Sequence, residues 1–93
     1  MALIRIHAVI TGRVQGVFFR ACTSDEAQRN SLSGWVRNLV DGSVETELQG
    51  DEVDVKRMLN WLHKGSPMSQ VAKVTSRQLA VIDGEKGFSI RYS

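Results

Sequence analysis

Gly12-Arg13-Val14-Gln15-Gly16-Val17-Phe18-Phe19-Arg20 is the stretch of this chain best suited to chemistry. Two glycines bracket a short loop, and an arginine closes it where a helix is expected to begin. That composition builds an anion socket. Glycine lets backbone N–H groups converge, a helix N-terminus adds partial positive charge, and a guanidinium supplies a forked pair of donors. No His, Asp or Glu lies between Gly12 and Arg20, so the segment offers no general acid. It also departs from a Walker A loop. That motif ends in Gly-Lys-Ser/Thr, whereas Val17 and Phe18 follow the second glycine here.

Other reactive residue types are read more plainly. His7 and His63 have no carboxylate or second histidine at ligand spacing, so no metal site is expected. Cys22 is the single cysteine, which excludes an internal disulfide and a thiolate metal cluster; it reads as a small residue packing on a sheet. Trp35, Trp61 and Met58 read as core or half-core, Glu45 and Glu47 as a solvated strand face, and Arg13 as an exposed charge.

The elements that must position the loop follow from periodicity. Leu3 to Thr11 alternates, with Ile4, Ile6, Ala8 and Ile10 on one side and Arg5, His7, Val9 and Thr11 on the other: a half-buried strand. Phe19 to about Ser31 reads as a helix whose inner face is Phe19, Cys22, Thr23 and Ala27. Trp35 to Val40 and Ser43 to Gln49 read as strands joined at Asp41-Gly42, a hairpin pair in which both central residues take positive φ. Val44, Thr46 and Leu48 then face inward. Asp51 is placed as an N-cap for a helix burying Val55, Met58, Leu59 and Leu62, and Gly65-Ser66-Pro67 stops it. Val71 to Val81 is one long or bent strand, Asp83-Gly84 a turn, and Phe88 to Tyr92 a last strand with Phe88, Ile90 and Tyr92 on one face. The order β-α-β-β-α-β plus a short fifth strand predicts an α+β two-layer sandwich, mostly antiparallel, with two helices on one face.

Composition sets the frame. A chain of 93 residues is expected to form one domain over residues 1–93, with a modest core. Apolar residues are 42% and charged residues 24%, an ordinary globular mix. The net charge of +2 comes from scattered rather than clustered Lys and Arg, which suits a small anion at least as well as a polymer. No stretch approaches the roughly 18 apolar residues of a membrane span. Residues 1–5 lack the pattern of a signal peptide. A cytoplasmic protein that engages neither membrane nor nucleic acid is the expectation.

Taken together, Gly12 to Arg20, then Gly34-Trp35-Val36-Arg37-Asn38, then Asp41-Gly42-Ser43-Val44, resemble the acylphosphatase family. The resemblance continues through Trp61-Leu62 and Gly65-Ser66-Pro67 to Phe88-Ser89-Ile90-Arg91-Tyr92, so it spans nearly the whole chain; Arg29 to Ser33 and Ser76 to Glu85 depart most from it. It implies a ferredoxin-like fold and hydrolysis of acyl phosphates to a carboxylate and inorganic phosphate, by a monomer without metal or cofactor. It also implies that Arg20 binds the phosphate, with loop N–H groups from Gln15, Gly16, Val17 and Phe18, and that Asn38 positions the water. Two rival readings remain. One is an RNA-recognition module, because Lys86 to Tyr92 echoes the RNP1 pattern, although on the last strand rather than a central one. The other is the same scaffold used only as a binding unit.

Overall fold

In the computed structural model, which describes residues 2–92, the chain runs β1 (Leu3–Arg13), α1 (Phe19–Arg29), β2 (Ser33–Asn38), β3 (Val44–Asp51), α2 (Glu52–Lys64), β4 (Gln70–Leu79), β5 (Phe88–Arg91). The strands form one sheet in the order β4-β1-β3-β2-β5. Neighbours are antiparallel except β2 and β5, which are parallel. Because β1 and β2 each run against β3, strands β1, β2 and β5 share one direction. Their C-terminal ends therefore meet at one end of the molecule. This is the α+β sandwich that the element order predicts, in the ferredoxin-like form that the resemblance implies.

The alternation in β1 does the expected sorting: Ile6, Ala8 and Ile10 are buried beneath the helices, joined by Val44 and Leu48 of β3 and Val36 of β2. Helix α1 lies over β2 and β5, and α2 over β4, β1 and β3. Phe19 from α1 and Val55, Met58 and Leu62 from α2 close the core. Each such side chain contributes about 1.5–3 kcal/mol by leaving water. Asp51 caps α2, its carboxylate accepting from the Val53 N–H at 3.0 Å. Glu52 and Asp54 in the first turn and Lys64 in the last complement the helix dipole.

Four details differ from the sequence-based expectation. Gly12 lies within β1 rather than bounding the loop. A register shift between Thr11 and Gly12 lets β1 continue to Arg13, and Gly12 takes φ 123° where a Cβ would collide with the Gln70 carbonyl oxygen. The β2–β3 connection is wider than a two-residue turn. Strand β2 ends at Asn38, only Gly42 of the Asp-Gly pair has positive φ, and the Asp41 carboxylate accepts from both the Ser43 N–H and its hydroxyl. On α1, Ser24 rather than Cys22 completes the buried face. Strand β4 runs from Gln70 to Leu79, so Ala80 and Val81 fall outside it.

The expectation that Glu45 and Glu47 form a simply solvated strand face also fails. Arg5 is 1% exposed, with its Nε 2.7 Å from Glu47 and its Nη1 2.6 Å from Glu85 and 3.1 Å from Gln49. The Gln49 side chain pairs with both the N–H and the carbonyl of Ile82, so the β4–β5 connection is pinned across this face. Burial disfavours the Arg5 charge, but the bonds to Glu85 and Glu47 outweigh it and raise its pKa. Burial likewise opposes ionisation of Glu85, yet the Arg5 and Ser33 hydrogen bonds hold its pKa below the usual carboxylate range. Glu45 behaves similarly between His7 and Arg37.

Candidate active site

The loop from Val14 to Phe18 connects the end of β1 to the start of α1, at the end of the sheet where β2 and β5 also finish. Its backbone alternates in handedness. Gly16 has φ 73° and Phe18 φ 58°, while Gln15 and Val17 have none of the positive values. Such alternation turns consecutive N–H groups toward one side and forms a concave nest. Among the described residues, no N–H group from Gln15 to Ala21 donates to another group of the protein; the first that does is Cys22, bonded to the Phe18 carbonyl at 2.9 Å. Helix α1 has no side-chain cap and no acidic residue in its first turn. Its N-terminus therefore keeps its partial positive charge and its free donors.

Arg20 stands at this same end. Its Nη1 donates to the Arg91 carbonyl at 3.3 Å, and its guanidinium lies 4.8 Å from the centre of the Tyr92 ring. It forms no ion pair among the described residues. A cation beside a positive helix end, with no carboxylate to balance it among the described residues, is locally unfavourable, and a bound anion would relieve that conflict.

Asn38 is the last residue of β2, and the alternation of that strand puts it on the helix side with Val36. Its Oδ1 is buried and has no hydrogen-bond partner among the described residues. An unpaired buried carbonyl oxygen is costly and marks a place for a donor such as water. Arg20, Asn38, Gly16 and Phe18 line one cavity of about 260 Å³, whose walls include Val14, Phe19, Ala21, Ile90 and Tyr92. The residues singled out in the sequence are thus brought together, with two distinctions. Val17 turns its side chain into the core, 7% exposed, and that side chain does not line the cavity. The Gln15 side chain points to the β2–β3 connection, where Nε2 donates to the carbonyls of Leu39 and Ser43, each at 2.8 Å.

That clamp and a second one were not visible in the sequence. The Ser66 hydroxyl, beyond α2, donates to the Val17 carbonyl at 3.0 Å in a buried contact. Gln15 fixes the loop to the strand end bearing Asn38, and Ser66 fixes it to the floor below. Neither carries a local signal, because both bridge distant parts of the chain. Ile90 and Tyr92 line the cavity because β5 lies parallel to β2, a pairing that no short-range pattern reveals.

The remaining reactive residues lie elsewhere. His7 pairs with Glu45 at 2.7 Å on the opposite sheet face, and His63 contacts the Leu59 carbonyl. Cys22 faces a separate hollow beside α2. Trp35 is covered by Arg91 and Arg37, whose guanidinium carbons lie 4.4 and 5.5 Å from its indole ring. The stretch resembling RNP1 forms edge strand β5. Phe88 and Ile90 pack toward the core, which leaves no aromatic of that strand on the open sheet face for a base to stack on.

Comparison with known proteins gives a consistent match. The acylphosphatase family profile aligns with residues 6–90. An acylphosphatase of Pseudomonas paraeruginosa is 48% identical over 91 residues, covering 98% of this chain and 99% of that protein. Among solved structures, the acylphosphatase of Bacillus subtilis superposes with a TM-score of 0.92 at 35% identity, over 96% of this chain and 99% of the other. An acylphosphatase from Coxiella burnetii gives the same score and identity, over 96% of this chain and 93% of the other.

Proposed function

The chain belongs to the acylphosphatase family, and from that footing we propose that it hydrolyses acyl phosphates by seating the phosphoryl group in the nest and aiming a water with Asn38. The anhydride presents a dianionic phosphoryl group. The amides of Gln15, Gly16, Val17 and Phe18 take its oxygens, and the Arg20 guanidinium takes two more donor–acceptor contacts in its forked geometry. Asn38 Oδ1 accepts a hydrogen bond from water and turns the water oxygen toward phosphorus, opposite the departing carboxylate. The water oxygen bonds to phosphorus as the bond from phosphorus to the acyl oxygen breaks. The electron pair of that bond leaves with the carboxylate, and a water proton passes to a phosphate oxygen.

The chemistry asks little more of the protein. A carboxylic acid has a pKa near ~4, so the leaving group departs unprotonated and needs no general acid. A loose phosphoryl-transfer transition state responds mainly to alignment and charge stabilisation. Arg20 and the amides supply the positive field for which many phosphoryl-transfer sites use a metal ion, so no metal or cofactor is required. The observation that carries this reading is the buried Asn38 Oδ1, unpaired among the described residues, in the same cavity as Arg20, which has no carboxylate partner among those residues.

The test is phosphate release from benzoyl phosphate with excess EDTA, beside a phosphate monoester control. We expect fast anhydride cleavage indifferent to the chelator and no attack on the ester. Arg20→Ala should lose about 10³-fold or more in kcat/KM, and Arg20→Lys should not restore it, because an ammonium lacks the fork. Asn38→Ala should lower kcat by about 10²-fold and change KM far less. Near-normal turnover in the arginine variants, or a pure KM defect in the asparagine variant, would contradict the assignment.

A further inference from the structure

The phosphate end of the substrate accounts for the polar part of the cavity but not for its rim. Phe18 adopts φ 58° and ψ 23°, a left-handed conformation that favours glycine or asparagine. Its side chain is 80% exposed, so it gains almost nothing from folding in return. A strained residue with an unburied ring points to a role outside stability. The chain has three phenylalanines, two tryptophans and one tyrosine. All are buried or half-buried except Phe18 and Tyr92, and both of these line the cavity that holds Arg20. The Tyr92 ring is stacked on the guanidinium itself, and Ile90 adds an aliphatic side chain to the lining of the same cavity.

We propose that Phe18 and Tyr92 form an aromatic lip that binds the acyl group, so that the preferred substrates are acyl phosphates with flat, apolar acyl groups. The inference rests on the proposed anhydride hydrolysis and names its substrate class. With the phosphoryl group on the amides and Arg20, the acyl group would lie in the same cavity as the ring stacked on that arginine. Arg20 and Asn38 give the cavity its polar groups, whereas the exposed rings of Phe18 and Tyr92, with Ile90, give it an apolar lining beside them. An aromatic acyl group buries ring surface there that an acetyl group cannot reach.

The experiment compares kcat/KM for benzoyl phosphate and acetyl phosphate in the wild-type protein and in Phe18→Gly, Phe18→Asn and Phe18→Leu. Glycine and asparagine both tolerate the left-handed backbone, so the amide stays in place while the ring is lost. We expect the benzoyl preference to fall about tenfold in both and to be largely kept in Phe18→Leu. An unchanged benzoyl-to-acetyl ratio in Phe18→Gly and Phe18→Asn would overturn the aromatic lip and leave anhydride hydrolysis standing. Failure of the wild type to cleave either substrate would overturn the hydrolysis reading and the lip with it. On the unaltered protein, phenylphosphonate should inhibit about fivefold more tightly than methylphosphonate; equal inhibition would again refute the lip.

Discussion

Truncating Gln15 to alanine should weaken both the fold and the proposed reaction, because this side chain ties the loop from Val14 to Phe18 to the strand end that carries Asn38. Its Nε2 donates two hydrogen bonds of 2.8 Å, to the carbonyls of Leu39 and Ser43. A hydrogen bond of this kind contributes about 1 kcal/mol net. Neither carbonyl is orphaned by the truncation. The Leu39 oxygen also accepts from the Gly42 N–H at 3.2 Å, and the Ser43 oxygen from the Leu39 N–H at 2.8 Å. The loss therefore stays near the sum of two ordinary bonds, about 1–2 kcal/mol, without a desolvation penalty. For a domain of this size that lowers Tm by roughly 5–12 °C. The catalytic effect comes from geometry: a shift of ~1 Å between the seated phosphoryl group and its water can cost up to about 10²-fold, so kcat should fall roughly tenfold. Circular dichroism melting and initial rates on benzoyl phosphate measure the two effects. Gln15→Glu should be worse on both, since a carboxylate would face two carbonyl oxygens. A Gln15→Ala protein that melts within about 1 °C of wild type would refute the clamp. One that is destabilised but keeps full kcat would refute its link to Asn38.

Gly12→Ala should cost more than about 2 kcal/mol, because the new Cβ meets the Gln70 carbonyl at φ 123°, whereas Gly16→Ala, with open space around it, should cost only about 1 kcal/mol from its φ of 73°; urea unfolding separates the two. Glu85 and Glu45 have lowered pKa values in the folded chain, so the stability they contribute is present above their unfolded values and is lost as pH falls through the folded ones. The melting temperature should accordingly drop below about pH 4.5. Glu85→Gln should flatten that acid limb while lowering stability near neutral pH by about 2 kcal/mol, as Arg5 loses a charged partner; an unaltered acid limb would contradict the role given to this pair.

The parts of the structure that could be read from sequence are those written in local patterns. The alternation of Ile4, Ile6, Ala8 and Ile10 and the stripe of Val55, Met58 and Leu62 each place one element on the core, and the observed burial follows them. The loop of the candidate site was legible as a loop because its glycine, its following helix start and Arg20 are adjacent in sequence. Asn38 was legible only through the family pattern, since an asparagine near a turn is otherwise unremarkable. The details that escaped notice depend on contacts between distant segments. Arg5 reads only as one residue on the second side of β1, with His7, until Glu47 and Glu85 are known to surround it. Gln15 and Ser66 look like ordinary polar residues until their partners at Leu39, Ser43 and Val17 are in place. Gly12 looks like a loop glycine until β4 is laid against it. The β2–β3 connection misled for a local reason: Asp41 bonds to Ser43 instead of taking positive φ itself, which favours a wider turn.

The most direct test of the central claim is a titration of the ¹⁵N-labelled protein with inorganic phosphate, followed by amide and side-chain chemical shifts. Progressive shifts concentrated at the N–H groups of Gln15 to Phe18, with the Arg20 guanidinium and the Asn38 carboxamide, and their loss in Arg20→Ala, are the predicted result. Shifts centred elsewhere, or a response of those amides that survives removal of the Arg20 guanidinium undiminished, would contradict it.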